Sequence, residues 1–320
     1  MSKILSQDHI ITCYEADANQ LMRPTAMLDL MQEAANVNAS TLGFGYDEMI
    51  NSNIAWVLSR IHVKFMDTPK WRQEVNLKTW HKGVAKLFYL RDFILSDKEG
   101  NPMVLATTSW LIIDLGTRRL VRNNDLALSD TSEHAIETPA EKVVVPVDIE
   151  PELVRKHPVT WSEIDTNGHV NNVKYAVWAL DAVKPEDIKE RPLKEILINF
   201  DAEVLPGDTV KISRVRQETE DGFVYYITGK VAAYTTTVKG RIEGVGEFQA
   251  QMELRDGVLR RMNLAGDFFL VGDLDGALLA RLAGVRFTPE AVEERLADVN
   301  FGDIIMNLTK QQFINFLFEK

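Results

Sequence analysis

Cysteine is almost missing from this chain: Cys13 is the only one in 320 residues. That excludes an internal disulfide framework and any site built from several thiolates. No run approaches the roughly 20 consecutive apolar residues of a membrane-spanning helix. The start, Met1-Ser-Lys-Ile-Leu-Ser-Gln-Asp-His9, lacks the apolar core of a secretory signal. A soluble protein in a reducing, cytoplasmic setting is expected, with no membrane partner. Positive charge is short as well, with 36 Lys+Arg against 47 Asp+Glu and a net charge of −11. Binding phosphates takes a basic surface, so nucleic acid is not an expected partner. Familiar catalytic signatures are absent: no Gly-x-Ser-x-Gly turn, no Walker loop, no Gly-x-Gly-x-x-Gly opening a helix and no His-Glu-x-x-His. Neither a cofactor nor a metal is expected.

What the chain does have is an internal repeat. Arg60-Ile-His-Val-Lys-Phe-Met-Asp-Thr-Pro-Lys-Trp-Arg-Gln-Glu-Val-Asn-Leu77 lies without gaps over Glu195-Ile-Leu-Ile-Asn-Phe-Asp-Ala-Glu-Val-Leu-Pro-Gly-Asp-Thr-Val-Lys-Ile212. Both copies alternate apolar residues (Ile61, Val63, Phe65; Ile196, Ile198, Phe200), turn, and alternate again, which predicts strand, turn, strand with one buried face. A helical stripe precedes each copy: Met27, Leu30, Met31 and Ala34 in the first, Val173, Val177 and Leu180 in the second. Further strands are expected over Leu87 to Leu95, Val104 to Asp114 and Phe223 to Val231. A helix followed by several antiparallel strands, twice over, predicts two α+β units whose sheets wrap a central helix. Residues 123 to 158, with Pro139, Pro146, Pro151 and Pro158, read as an extended linker.

From about Tyr234 the pattern changes. A hairpin is predicted from Glu247 to Leu254 and Val258 to Leu264 around Asp256-Gly257. Helices follow at Gly276 to Leu282, after Thr288-Pro289-Glu290, and at Thr309 to Phe318. The expected division is 1–135 for a first, inactive unit, 136–235 for linker and active unit, and 236–320 for a small α+β domain.

Of six histidines, only His169 sits in a dense polar run, Trp161-Ser-Glu-Ile-Asp165-Thr-Asn167-Gly-His169-Val-Asn171-Asn172-Val-Lys-Tyr175, directly before the second helix. Carboxylate, amide and imidazole at a helix entrance can converge on a carbonyl, and the helix terminus adds free N–H donors where an oxyanion would form. The competing assignment makes Asp165, Asn167 and Asn172 turn and capping residues. Glu203, by strand alternation, shares a face with Leu197, Asn199 and Asp201.

Gly168-His-Val-Asn-Asn-Val-Lys-Tyr175, with Asp165 and Asn167 before it, resembles the signature of fatty acyl-ACP thioesterases, the double hotdog hydrolases of plants and bacteria. Ile54-Ala-Trp56-Val-Leu-Ser-Arg60 is similar to that family's Trp-Val-x-x-Arg strand. Ser109-Trp110-Leu-Ile-Ile-Asp-Leu-Gly-Thr-Arg118-Arg119-Leu120 is similar to its Trp to Thr-Arg-Arg segment. The resemblance, over about residues 5 to 230, implies tandem hotdog repeats. It also implies Asp165, Asn167, His169 and Glu203 as catalytic groups, a fatty acyl thioester as substrate and acyl carrier protein (ACP) as partner. Where some relatives carry a cysteine after that Glu, this chain has Val204, which excludes a cysteine nucleophile there. Aligning Asp17-Ala-Asn19-Gln-Leu21 with Asp165-Thr-Asn167-Gly-His169 puts Leu21 in the place of His169, and Thr68 falls in the place of Glu203. One site per chain is expected, in the second repeat, with the first repeat forming the acyl pocket.

Glu203 as general base on water, with Asn167 and His169 orienting the reacting groups, is one mechanism; direct attack by Asp165 through an anhydride is the other. Hydrolysis of acyl-CoA, or a non-catalytic acyl-binding module, are the alternative functions. Residues 235 to 320 hold 10 Lys+Arg and 13 Asp+Glu, a net of −3 that leaves −8 on the rest. Docking an acidic carrier therefore needs a local patch, with Lys82, Lys86, Arg118, Arg119, Arg122 and Lys174 as candidates. The tail, Gly240 to Phe318, resembles the C-terminal accessory domain of bacterial lipoate-protein ligases, on Gly266-Asp-Phe-Phe269 after the hairpin above all. That resemblance points to a lipoyl domain or an octanoyl-carrying ACP as a further partner. A homodimer is left open.

Overall fold

The computed structural model describes residues 4–116, 120–121, 133–231 and 236–318. It divides into two compact units, Met1–Val231 and Ala232–Lys320.

In the first unit, the first repeat runs β1 (Leu5–Ile10), α1 (Pro24–Thr41), α2 (Tyr46–Asn51), β2 (Ile54–Phe65), β3 (Glu74–Ala85), β4 (Phe88–Asp97), β5 (Pro102–Asp114) and a two-residue β6 (Leu120–Val121). Pro24 opens α1 at its first turn, where its missing N–H costs nothing. The helix buries Met27, Met31, Ala34 and Ala35 against Val63, Leu77, Phe93, Leu95 and Ala106 of the sheet, while Leu30 is half-buried. The sheet therefore wraps α1. Strand β4 is buried on its other face too, because the chain after residue 132 crosses it. Trp80 Nε1 donates to the Glu133 carbonyl at 3.1 Å, and the Ala135 amide donates to Asp92 Oδ2 at 2.7 Å.

The second repeat runs β7 (Glu152–Pro158), α3 (Asn172–Leu180), α4 (Pro185–Glu190), β8 (Glu195–Asn199), β9 (Thr209–Thr219) and β10 (Gly222–Val231). Strand order is β1-β3-β4-β5-β2-β8 in one sheet, with β6 on β5, and β10-β9-β7 in another. Strands β2 and β8 pair antiparallel, with Arg60↔Asn199, His62↔Leu197 and Lys64↔Glu195. The repeat alignment sets Arg60 against Glu195 and His62 against Leu197, so equivalent strands meet on a local two-fold through His62 and Leu197.

Three expectations change. Residues 152–158 are not linker but β7, paired with β9 through His157↔Val210, as β1 pairs with β3 through His9↔Val75. Helix α3 buries Val173, Ala176 and Trp178, whereas Val177 and Leu180 are only half-buried. The hairpin expected from Glu247 gains a third strand: β11 (Thr236–Ile242) lies in the second unit, antiparallel to β12 (Gly246–Arg255).

That second unit continues with β13 (Val258–Gly266), a π turn over Asp275–Leu279 running into α5 (Ala280–Leu282), α6 (Pro289–Arg295) and α7 (Lys310–Phe318). Asp256 and Gly257 have φ of 51° and 72°, the left-handed pair a tight hairpin demands. Thr288 caps α6, its hydroxyl accepting from the Ala291 amide at 3.3 Å. Met252, Leu259, Leu278, Leu282, Val292 and Phe313 form a separate core.

Candidate active site

The entrance to α3 is a short loop that folds on itself. The Asp165 amide donates to the His169 carbonyl at 2.8 Å, Asp165 Oδ1 accepts from the Asn167 amide at 2.8 Å, and Gly168 takes φ +78°. Asn171 Oδ1 then caps the helix, accepting from the Val173 amide at 2.8 Å. The capping residue is thus Asn171 rather than Asn172. Asp165 serves the turn with one oxygen, and the Asn167 side chain is exposed.

Beneath the loop sits Glu163, a buried carboxylate. It accepts from His157 Nε2 at 2.8 Å, Trp178 Nε1 at 2.7 Å and the Thr160 amide at 2.8 Å. Burial acts to raise its pKa, but these donors outweigh it and hold the carboxyl below its ordinary value. Sequence reasoning missed this anchor. The signal was present: His9, Thr12 and Glu15 repeat the spacing of His157, Thr160 and Glu163, and Glu15 accepts from His9 Nε2 at 2.9 Å and from the Thr12 amide at 2.7 Å.

Glu203 lies not on β8, which ends at Asn199, but in the loop between β8 and β9. The reason is that the next residue pairs with the α3 entrance: the Val170 amide donates to the Val204 carbonyl at 2.9 Å. This brings Glu203 Oε2 to 3.4 Å from His169 Nε2. The two side chains are 39% and 29% exposed, so the pair is reachable from solvent. A largely apolar cleft is lined by Asn172 and Val173 together with Leu28, Met31, Phe93 and Trp110 of the first repeat.

The first repeat keeps the frame and loses the chemistry. The Asp17 amide donates to the Leu21 carbonyl at 2.8 Å, Asp17 Oδ1 accepts from the Asn19 amide at 2.8 Å, and the Met22 amide donates to the Pro69 carbonyl at 2.8 Å. Leu21 and Thr68 stand where His169 and Glu203 stand.

Lys82 is removed from the docking candidates. Its side chain is 2% exposed and its Nζ lies 3.0 Å from Asp92, itself 0% exposed. Burying the pair keeps the lysine away from any carrier. Lys86 is exposed, Lys174 is half-buried, and Arg118, Arg119 and Arg122 lie outside the described residues. Among the described residues no group of three or more His, Cys, Asp or Glu is arranged to hold a metal, and no helix is long and apolar enough to cross a membrane.

Two helix-wrapping repeats, the second with the partly exposed His169–Glu203 pair beside its helix entrance, define a double hotdog body. The family model of the acyl-ACP thioesterase N-terminal domain matches residues 2–128, that of the acyl-ACP thioesterase C-terminal domain matches 148–241, and that of the bacterial lipoate protein ligase C-terminus matches 232–317. The chain belongs to the acyl-ACP thioesterase family, with a lipoate-ligase-type domain appended. Oleoyl-acyl carrier protein thioesterase 2 of Arabidopsis thaliana is 27% identical, over 71% of this chain and 67% of its own length. A palmitoyl-acyl carrier protein thioesterase of Gossypium hirsutum is 30% identical, over 62% of this chain and 51% of its own length. The chain thus spans between about half and two thirds of these plant proteins, both named as chloroplastic. An acyl-ACP thioesterase structure from Bacteroides thetaiotaomicron matches with a TM-score of 0.63 at 25% identity, covering 72% of this chain and 96% of that one. The 12:0-ACP thioesterase of Umbellularia californica shares the fold, with a TM-score of 0.63 at 21% identity, covering 72% of this chain and 95% of that one. Residues 232–241 fall to both the thioesterase and the ligase models, at the junction where β11 joins the second unit's sheet.

Proposed function

We propose that this chain hydrolyses fatty acyl-ACP to free fatty acid and carrier thiol, at Asp165, Asn167, His169 and Glu203. The observation that carries the reading is the 3.4 Å pair of His169 and Glu203 beside the entrance of α3, whose Asn172 and Val173 line the apolar cleft. The acyl chain occupies the cleft in the first repeat and the thioester carbonyl lies at the α3 entrance. Glu203 takes a proton from water as the water oxygen bonds to the carbonyl carbon. N–H groups at the helix entrance, with Asn167, stabilise the oxyanion, and His169 orients the water and thioester. Collapse of the tetrahedral adduct breaks the C–S bond, and the proton held by Glu203 goes to the departing sulfur. A thiol of pKa about 8.5 leaves readily, so leaving-group protonation is undemanding. In the second route, an Asp165 oxygen bonds to the carbonyl carbon, the C–S bond breaks and the carrier thiolate leaves, and water then cleaves the anhydride to the free fatty acid and the Asp165 carboxylate.

ACP is the expected carrier and CoA the competing one. Rates on ACP and CoA thioesters of matched chain length test this, with at least tenfold preference for ACP expected. Equal rates would make the chain a general acyl thioesterase. The appended domain is read as a recognition element for a carrier, either a lipoyl domain or octanoyl-ACP.

A further inference from the structure

The two repeats provide an internal control for surface charge. Lys156 of β7, Lys211 of β9 and Lys230 of β10 stand directly opposite one another across the three-stranded sheet, in the register Lys156↔Lys211 and Lys230↔Lys211. Directly opposed residues share a face, and Val210 and Ile212, on either side of Lys211 in the chain, are buried on the other one. All three lysines are exposed, and none has a carboxylate partner among the described residues. Like charges directly opposed weaken a sheet, so this row costs the fold stability. The first repeat avoids that cost. With His9↔Val75 in the place of His157↔Val210, its equivalent row is Asp8, Asn76 and Ser96, paired Asp8↔Asn76 and Asn76↔Ser96. There Asn76 Nδ2 donates to Asp8 Oδ1 at 2.8 Å. The sheet can thus be built without the lysines, and they occur only in the repeat that carries His169 and Glu203. Far apart in sequence, they align only through strand pairing.

We propose that Lys156, Lys211 and Lys230 form the docking surface for the acidic carrier and receive the carboxylates of one of its helices; this rests on the acyl-ACP reading above. Spacing supports that occupant. Neighbouring strands lie about 5 Å apart, so the row spans about 10 Å. Acidic residues at i, i+4 and i+7 of a helix lie about 6 and 10 Å along its axis from the first, a matching line of charges. The row also lies toward the site's end of the sheet. Lys156 precedes His157, which holds Glu163, and Lys211 comes just after Thr209, where β9 leaves the loop that carries Glu203. The two strand ends are joined there, the Val159 amide donating to the Asp208 carbonyl at 2.8 Å. Trp161 follows in the chain, before Asp165, and is 86% exposed. By the spacing of His9, Thr12 and Glu15 its counterpart in the first repeat is Cys13. Tryptophan is enriched among the residues that anchor interfaces, so Trp161 adds an apolar contact beside the charges. The exposed acidic residues of the β9–β10 hairpin, Glu218, Glu220 and Asp221, lie at its far end, about 23 Å from Lys211 along the strand.

The test compares the full chain with its Lys156→Glu/Lys211→Glu/Lys230→Glu variant. Three probes are used: acyl-ACP, an uncharged acyl-N-acetylcysteamine thioester, and labelled holo-ACP for direct binding. The variant is expected to bind ACP at least tenfold more weakly and to lose at least tenfold in kcat/KM on acyl-ACP, the scale of electrostatic steering. Its kcat at saturating acyl-ACP and its rate on the uncharged thioester are expected to stay within about twofold of wild type. The melting temperature should hold or rise, because the opposed charges are gone. Added salt should weaken ACP binding by the wild type and barely change it in the variant. Lys98→Glu/Lys142→Glu/Lys189→Glu makes the same change in net charge at other exposed positions and is expected to stay within about threefold of wild type. Wild-type ACP affinity in the first variant, an equal loss in the second, or an equal loss on the uncharged thioester would overturn the docking surface and leave the thioesterase reading standing. ACP binding that depends on the three lysines, with no hydrolysis of acyl-ACP, would instead support the surface and remove the thioesterase reading.

Discussion

His169 Nε2 and Glu203 Oε2 lie 3.4 Å apart, although one side chain comes from the entrance of α3 and the other from the loop after β8. Backbone pairing of Val170 with Val204 makes them neighbours. The first repeat has the same pairing between Met22 and Pro69 and carries Leu21 and Thr68 at the two side-chain positions. Thr68→Ala is therefore expected to leave kcat on an acyl thioester within about twofold of wild type. Thr68 is only half-buried, so the fold should tolerate the change as well. A loss comparable to that of a Glu203 variant would show that the first repeat takes part in the chemistry.

Glu163 anchors the α3 entrance through His157, Trp178 and both the amide and the hydroxyl of Thr160, and its folded pKa is below its ordinary value. A depressed carboxyl contributes stability that is present above its unfolded pKa of about 4.3 and is lost as pH falls through the folded one. Glu163→Gln should lower stability at pH 7 by about 1–3 kcal/mol, the cost of weakening buried charge-assisted hydrogen bonds. The gap to wild type should close below about pH 4. Urea unfolding at pH 7 and at pH 3.5 measures both. A gap that widens with acid would contradict this account.

His81 is buried with both ring nitrogens unbonded, and burial together with the Arg91 cation holds its pKa down to about 3. The unfolded chain takes up this proton near pH 6.5 and the folded chain does not until about 3, so stability is lost as pH is lowered through that window. His81→Leu should flatten the dependence, and its urea midpoint between pH 6.5 and 4 should change less than that of wild type. Equal slopes would show that His81 is hydrogen-bonded or protonated in the folded state.

Leu28 lines the cleft and is 3% exposed. Leu28→Phe narrows it at an overpacking cost of about 1–3 kcal/mol. The ratio of kcat/KM for palmitoyl to octanoyl thioester should fall at least tenfold, because a contact worth one or two methylenes is read at that scale. An unchanged ratio would place the acyl chain elsewhere.

Much of this was legible in the sequence, for identifiable reasons. Period-two alternation in Ile61, Val63, Phe65 and Ile196, Ile198, Phe200 gave away paired strands, and the gapless alignment already held the symmetry now seen at His62 and Leu197. The polar run around His169 marked the site because those residues are consecutive. What was hidden depends on partners distant in sequence. Strand β7 is charged and borders prolines, and only its pairing with β9 makes it a strand. Lys82 reads as a surface cation until Asp92 and the chain around Ile136 close over it. Strand β11 went unread because its few apolar residues only form a strand pattern once β12 pairs with it.

The most direct test of the account is single-turnover hydrolysis of a fatty acyl-ACP by the full chain and by its His169→Ala and Glu203→Ala variants. Each variant should fall at least a hundredfold in rate, the lower end of what general acid–base groups supply, with unchanged melting behaviour. Near wild-type rates in both variants would contradict the assignment of the site.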